Sequence, residues 1–283
     1  MACQPTPTTT PVRPGATNAN PGATTSNPGA TAAGPVTPGE PNVITGRVTT
    51  AAGTPIAEAR MRIVGYTGGA TLGRELETVE TGDDGVYRSE VPTGLYEVLG
   101  QAPILFDRQV YVFDLEPADG DCAQQMSNDG IVKDFVLRLT GLKGCLPGVD
   151  PENYVLYHGA AIQLVDRTSG HGTAAVVLYT LEPIGSLADG STGQTLELTR
   201  TVGALQTTAG PISTTSILHD IPLARYSVSA ALWGADGTSV PLLVSSNTAT
   251  TPASAVEISF NARALFDEPI VGYAVPQLYI HDE

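Results

Sequence analysis

The sequence predicts an all-β protein with two tandem antiparallel β-sandwiches after a disordered N-terminal arm. From residue 43 onward, short runs rich in Val, Ile, Tyr and Thr alternate with clusters of Gly, Pro, Asp and Asn, which is typical of strands separated by turns. No segment of a dozen residues sustains a helical period. Residues 1–42 differ, because they contain nine Pro, nine Thr and no aromatic residue. Such a segment cannot bury enough apolar surface to order itself.

The arm, residues 1–42, is predicted to act as a tether. The tetrapeptide Pro-Gly-Ala-Thr recurs at 14–17, 21–24 and 28–31. Proline favours polyproline II, which extends about 3.1 Å per residue, so the arm can reach on the order of 100 Å. This composition is low-complexity and does not build a packed repeat.

Cys3 lies at the head of this arm, in the context Met-Ala-Cys-Gln. This context resembles a mature bacterial lipoprotein, in which a signal peptide is cut before a Cys whose thiol carries lipid. The resemblance implies lipid attachment at Cys3 and export to the cell envelope or its outer surface, with membrane contact through the lipid only. The alternative is an unmodified cysteine behind a start codon. No stretch of the chain approaches the roughly 20 apolar residues of a membrane-spanning helix.

The charge of the chain limits its partners. A formal net charge of −15, with only two lysines, Lys133 and Lys143, excludes a basic nucleic-acid binder, because neutralising phosphates requires clustered Lys and Arg.

Cys122 and Cys145 form an even pair separated by 22 residues. In an exported chain this spacing favours a disulfide, which would stabilise the fold by roughly 3 kcal/mol. The alternative is a pair of buried free thiols.

Seven strands are predicted in the first half, at 43–50, 59–66, 74–81, 85–90, 94–101, 109–115 and 131–140. Met61 and Ile63 alternate with Arg60 and Arg62, so one face of that strand belongs to the core and the other to water. The run Asp83-Asp84-Gly85 predicts a hairpin turn, since Asp and Gly tolerate positive φ.

Four blocks in this half carry a family resemblance: Ile44–Thr49, Gly53–Ala59, Thr81–Tyr87 and Val91–Val98. Together they resemble the carboxypeptidase regulatory-like domain, over residues of about 43–140. The resemblance implies an Ig-like or transthyretin-like sandwich related to the B-type repeats of collagen adhesins, and it implies no peptidase activity. Gly46 is expected to permit close packing at a strand, and Tyr87 and Tyr96 to close the core.

The second half appears in the sequence as a repeat of the first. Residues 90–98 match residues 220–228 at an offset of 130, which aligns Tyr96 with Tyr226. At a shorter offset, Phe135 aligns with Phe260. We therefore predict three segments: the tether at 1–42, the carboxypeptidase regulatory-like sandwich at 43–144 and a second sandwich at 145–283. The second departs from the family in its insertion at 182–193.

Catalytic and metal-binding motifs are missing from the sequence. Residues 189–193, Asp-Gly-Ser-Thr-Gly, do not match the nucleophile elbow. The four histidines, His158, His171, His219 and His281, are scattered without the spacing of a metal site. We predict no catalytic residue, no metal site and no cofactor, with a calcium site as the one alternative.

A calcium site would draw on an acidic stretch. Five residues supply hard oxygen ligands within 16 positions: Asp114, Asp119, Asp121, Asn128 and Asp129. The alternative is a solvated acidic loop.

Trp233, the only tryptophan, lies between a predicted strand and the turn 234–237. It is a candidate for stacking on a ligand such as a sugar ring. The interpretation we favour from the sequence is that it closes the bottom of the core.

These observations predict a non-enzymatic, lipid-anchored surface protein that presents its sandwiches to a protein partner or for envelope assembly, for example by strand addition at exposed edges. One alternative is a polysaccharide-binding module of the envelope, which requires an exposed Trp233. The other is an enzyme of unrecognised type, which requires His and carboxylates to converge, with His158 or His219 as candidates.

Overall fold

Strands account for almost all the regular structure of this chain. The computed structural model describes residues 39–66, 73–144, 154–168, 175–204, 216–234, 238–262 and 273–282, so the predicted arm up to residue 38 lies outside the described residues. The strands in the first half are Val43–Thr50 (β1), Arg60–Tyr66 (β2), Arg74–Glu80 (β3), Val86–Glu90 (β4), Leu95–Phe106 (β5), Gln109–Asp114 (β6), Glu116–Pro117 (β7), Gln125–Met126 (β8), Ile131–Val132 (β9) and Phe135–Leu137 (β10).

The second half is built in the same way. Its strands are Ala160–Asp166 (β11), Val176–Ile184 (β12), Leu196–Thr201 (β13), Ile217–Ile221 (β14), Arg225–Trp233 (β15), Ser239–Ser245 (β16), Val256–Ile258 (β17), Asn261–Ala262 (β18), Tyr273–Ala274 (β19) and Gln277–His281 (β20). The short 3₁₀ turns are Ser127–Asp129, Tyr154–Leu156 and Val202–Ala204. The predicted all-β class is confirmed. No helix in the described ranges is long and apolar enough to cross a membrane.

The first sandwich packs two sheets over one core. One sheet has the order β4-β1-β10-β7, with β9 also paired to β1, and the other has the order β3-β2-β5-β6, with β8 paired to β5. Met61 and Ile63 are fully buried, as their alternation with Arg60 and Arg62 predicts.

Two glycines have the roles that the sequence predicts for them. A Cβ on Gly46 would lie 1.8 Å from the carbonyl oxygen of Lys133, so only glycine fits where β1 approaches the following chain. Gly85 adopts a φ of +74° in the hairpin turn, where the backbone N–H of Val86 donates to Asp84 Oδ1 at 3.0 Å. Tyr87 and Tyr96 are buried in the core, as expected.

The second sandwich repeats the strand order of the first. Strands β13-β12-β15-β16 correspond to β3-β2-β5-β6, and β14-β11-β20-β16 correspond to β4-β1-β10-β7. β16 belongs to both sheets, because its first half pairs with β15 and its second half with β20. In the first sandwich β6 and β7 divide this role between them. The predicted tandem of two sandwiches is confirmed.

The aligned tyrosines make the same hydrogen bond in each sandwich. The phenol of Tyr96 donates to the carbonyl of Pro92 at 2.8 Å, and that of Tyr226 to the carbonyl of Pro222 at 2.7 Å. The alignment of Phe135 with Phe260 is wrong. Phe135 lies in β10, whose counterpart is β20, whereas Phe260 follows β17.

The two sandwiches share buried residues where they meet. Tyr111 of β6 is buried in the hydrophobic core of the second sandwich, and its phenol donates to the carbonyl of Phe260 at 2.5 Å. The backbone N–H of Ala262 donates to Gln109 Oε1 at 2.9 Å. Residues from Pro38 to the C-terminus accordingly form one compact unit.

Residues 39–42, which the sequence places in the tether, contact the first sandwich. Glu40 pairs with Arg88 at 2.9 Å, and the backbone N–H of Asn42 donates to the carbonyl of Ser127 at 2.7 Å.

Candidate functional site

A buried polar cluster lies where the sandwiches meet. His158 Nε2 lies 2.7 Å from Glu116 Oε2, and the two side chains are only 2% and 9% exposed. The other oxygen of Glu116 accepts a hydrogen bond from the backbone N–H of Gly144 at 2.9 Å. Burial lowers the pKa of His158, although the Glu116 carboxylate opposes this shift. The imidazole therefore favours its neutral form.

A second pair extends this cluster towards the first sandwich. Lys143 Nζ lies 2.8 Å from Asp114 Oδ2, and Gln101 donates to the other oxygen at 3.0 Å. Burial alone would raise the pKa of Asp114, but Lys143 and the hydrogen bond from Gln101, with a smaller contribution from His158, together hold this pKa below its ordinary value.

A third group joins the cluster from β14. Asp220 has a φ of +60°, and its Oδ1 accepts a hydrogen bond from the backbone N–H of Gly141 at 2.7 Å. Burial raises the pKa of Asp220. The ring of His219 stacks on Tyr157 with centroids 4.5 Å apart. The backbone N–H of His158 donates to Gly141, so the cluster ties the link after β10 to both sandwiches.

A histidine and carboxylates do converge at this cluster, but the His158 and Glu116 side chains are buried in packed protein. A shallow depression lies in the first sandwich, lined in part by Tyr96, Glu97, Cys122 and Lys133. His158 is not among its lining residues. The contact between Glu116 and His158 could not be predicted from sequence patterns, because the two residues are 42 positions apart.

The five proposed calcium ligands lie in three separate places. Asp114 pairs with Lys143. Asp119 and Asp121 lie 3.2 and 3.6 Å from Nζ of Lys133, which is buried. Asn128 donates to Asp129 at 2.9 Å. These side chains do not form one ligand set, and within the described ranges no group of three or more His, Cys, Asp or Glu side chains is arranged to hold a metal ion. Lysine counter-ions account for three of these residues, Asp114, Asp119 and Asp121.

The predicted covalent sites fall largely outside the described residues. This is true of Cys3 and Cys145. Cys122 lies in the loop after β7, with Sγ 3.9 Å from the carbonyl oxygen of Gly120.

Trp233 ends β15 with 48% of its surface exposed. The interpretation that it closes the core is therefore wrong. The inward positions of β15, such as Val228 and Ala230, are buried, and Trp233 lies at an alternate position on the opposite side of the strand.

The surface around Trp233 is the outer side of the sheet β13-β12-β15-β16. Inward neighbours such as Val177 and Leu242 are buried, so side chains at the alternate positions face outward. Two adjacent rows across the four strands make up this surface, here named the Trp233 face: Thr201, Val176, Trp233 and Ser239, then Thr199, Leu178, Ala231 and Pro241.

The described residues of the Trp233 face are all uncharged. Charged side chains on the same side of the sheet begin one row further along, at Glu197, and continue with Glu182 and the pair Arg225–Glu257, which lies 3.2 Å apart. Asp236, in the adjoining turn, lies outside the described residues. The face thus offers one large aromatic ring, small apolar side chains and hydroxyl groups at both edges. Alternation along β12 shows which of its side chains face outward. The Trp233 face itself could not be predicted from the sequence, because it also depends on the register with β13 and β16.

Side chains bridge the open seam of each sandwich. Ser89 of β4 donates to Glu77 of β3 at 2.5 Å. Arg200 of β13 donates from Nε to the carbonyl of Ile217 in β14 at 2.9 Å. These bridges make the edge strands less accessible for strand addition than the sequence suggested.

Comparisons with known proteins do not assign a family. No family model matches the chain, and no curated protein matches it. Among solved structures, it is similar to a streptococcal ancillary pilin (10% identity, TM-score 0.27, 86% of this chain and 62% of that one), a DUF3823 family protein from Bacteroides uniformis (11%, 0.24, 78% and 99%) and the major pilin T-13 of Streptococcus pyogenes (12%, 0.23, 87% and 97%). The chain also spans 28% of the Bacillus anthracis TIE protein. The all-β assignment rests on the strand pairing described above, and the resemblance to the carboxypeptidase regulatory-like domain remains a resemblance.

Proposed function

We propose that this chain is an exported, non-enzymatic surface protein that holds two β-sandwiches as one rigid body, for binding a protein partner or for envelope assembly. The observation that carries the proposal is the insertion of Tyr111 from the first sandwich into the core of the second. Domains that share buried residues do not move independently, so their faces keep a fixed relation.

The polar cluster at the junction supports a structural role. Glu116 and His158 are buried against each other, and the backbone N–H of Gly144 occupies the second carboxylate oxygen. A general acid or base must reach a substrate proton. The arrangement instead fixes the link between the sandwiches.

The proposed localisation at the cell envelope rests on the N-terminal sequence. The arm at 1–42 would carry the rigid body away from a membrane to which Cys3 is anchored by lipid. Fractionation of the source cells tests this proposal. We expect the full chain in the detergent-soluble envelope fraction and sensitive to protease added to intact cells, and we expect Cys3→Ala to be released from that fraction. Recovery of the wild-type chain in the cytosol would contradict the proposal.

A second candidate function is binding of an envelope polysaccharide. The observation that favours it is the exposure of Trp233 beside the hydroxyl-bearing residues Thr201 and Ser239. Ligand sites for small molecules and sugars combine aromatic surface with a few placed polar groups.

A further inference from the structure

The two sandwiches differ sharply on equivalent surfaces. In the first sandwich, the outer side of β3-β2-β5-β6 carries Arg60, paired with Glu80 at 3.4 Å, and Arg62, paired with Glu75 at 2.9 Å. The Trp233 face, on the corresponding sheet of the second sandwich, has no charged side chain in its two described rows. Since both sheets have the same strand order, the fold does not impose this difference.

Exposing the indole of Trp233 to water is unfavourable, and no contact with the described part of the core compensates for it. Tryptophan is among the largest apolar side chains, and Trp233 is not part of the hydrophobic core of the second sandwich. Its neighbours Val176, Leu178 and Ala231 are only partly buried and are likewise not part of that core. Contiguous exposed apolar surface with a polar rim marks an interaction site.

The layout of the face suits a flat ligand with an apolar side and many hydroxyl groups. Adjacent strands lie about 4.8 Å apart, so the row from Thr201 to Ser239 spans roughly 14 Å. The indole can stack under a sugar ring, while Thr201 and Ser239 can exchange hydrogen bonds with its hydroxyls. A protein partner is less well matched, because protein interfaces bury about 800 Å² per side around several large anchors, whereas this face offers one.

Charge selects among polysaccharides. Glu197 borders the face on one side, Glu182 and the Arg225–Glu257 pair lie beyond it, and the whole chain has a net charge of −15. An anionic polymer would be repelled by this field. We propose that the Trp233 face binds an uncharged polysaccharide, with a sugar ring stacked on Trp233, an inference that rests on the second candidate function above.

The single tryptophan provides a direct test, because all indole fluorescence of the full chain comes from this site. The probes are a soluble mixed-linkage β-glucan, glucomannan, galactomannan and the neutral polysaccharide extracted from the source envelope, with polygalacturonate as the anionic control. We expect at least one neutral probe to shift the emission to shorter wavelength and to slow the protein in affinity gels, and we expect polygalacturonate to do neither.

Variants separate stacking from stability. Trp233→Ala should weaken binding by about 30-fold or more, as expected for loss of a central aromatic anchor, and Trp233→Tyr should retain part of it in the gel assay. Leu105→Ala removes another exposed apolar side chain, 74% exposed on the first sandwich, and should bind as the wild type does. All three should melt near the wild-type temperature.

Two results would overturn the inference. One is an unchanged emission spectrum with every neutral probe. The other is a protein that co-purifies with the wild-type chain and is lost from Trp233→Ala, which would make the face a protein interface. In either case, a wild-type chain that is still found at the cell surface would leave the proposed surface location standing. A chain found in the cytosol would refute the proposed surface location, whereas the binding assay would still test the polysaccharide inference.

Discussion

Tyr111 of the first sandwich donates a 2.5 Å hydrogen bond to the backbone carbonyl of Phe260 in the second. The bond joins residues 149 positions apart, and the ring of Tyr111 is buried among second-sandwich residues. The bond and the buried ring join the two sandwiches within one compact unit.

Truncating this residue should destabilise the whole body. We expect Tyr111→Ala to lower the free energy of unfolding by about 3–5 kcal/mol, since it leaves a cavity in a packed core, and Tyr111→Phe to lower it by about 1 kcal/mol through loss of the hydrogen bond. Urea denaturation measures both. A Tyr111→Ala protein as stable as the wild type would show that the two cores are not coupled.

Tyr96 and Tyr226, which donate to the carbonyls of Pro92 and Pro222, should contribute equally to the free energy of unfolding. Removing the phenol with Tyr96→Phe or Tyr226→Phe should cost about 1 kcal/mol in each case, because the ring stays in place while its bond to the proline carbonyl is lost. Thermal melts of the two variants and of the double variant test this expectation. If only one substitution has an effect, the two corners are not equivalent in energy.

Acidification should destabilise the junction through His158. Its folded-state pKa is lowered by burial, so between that value and the ordinary value of about 6.5 the unfolded chain binds more protons than the folded one. The stability that depends on neutral His158 is therefore complete above pH 6.5 and is lost as the pH falls below it.

Denaturant titrations at pH 7.5 and 5.5 measure this effect. The wild type should lose more stability than His158→Gln over that interval. The matched control is His281→Gln, because burial also lowers the pKa of His281 at a site beside Ser245, away from the junction. If His158→Gln keeps the full wild-type pH dependence, the effect does not come from the Glu116–His158 pair.

The predicted disulfide between Cys122 and Cys145 is testable by chemistry. We expect peptide mapping without reductant to recover the two cysteines in one linked peptide, and reduction to lower the free energy of unfolding by about 3 kcal/mol. Cys3→Ser is the matched control, because it should change neither result. Alkylation of both Cys122 and Cys145 in the unreduced protein would contradict the pairing.

Local patterns were enough to predict most of the first sandwich. The alternation at Met61 and Ile63, the turn at Gly85 and the close approach at Gly46 each depend on neighbours in sequence or on one strand contact. The repeat of Tyr96 in Tyr226 also predicted the second sandwich. Strand β7 was missed because two residues carry no periodic signal.

Contacts between residues far apart in the sequence could not be predicted from local patterns. Phe135 and Phe260 are the same residue type but do not occupy equivalent strands. Phe135 lies in β10, which pairs with β1, whereas the strand that pairs with β11 is β20. Asp114, Asp119 and Asp121 suggested a metal because their lysine partners, Lys133 and Lys143, are brought to them only by folding. Trp233 was expected in the core, although the burial of Val228 and Ala230 on one side of β15 places Trp233 on the other side.

The proposed surface function is tested by co-purification of the full-length chain from detergent-solubilised envelope, with bound protein and glycan both analysed by mass spectrometry. We expect an envelope-associated chain that retains a bound partner, with any glycan uncharged and lost from Trp233→Ala. A chain recovered only from the cytosol, with neither protein nor glycan attached, would contradict this expectation.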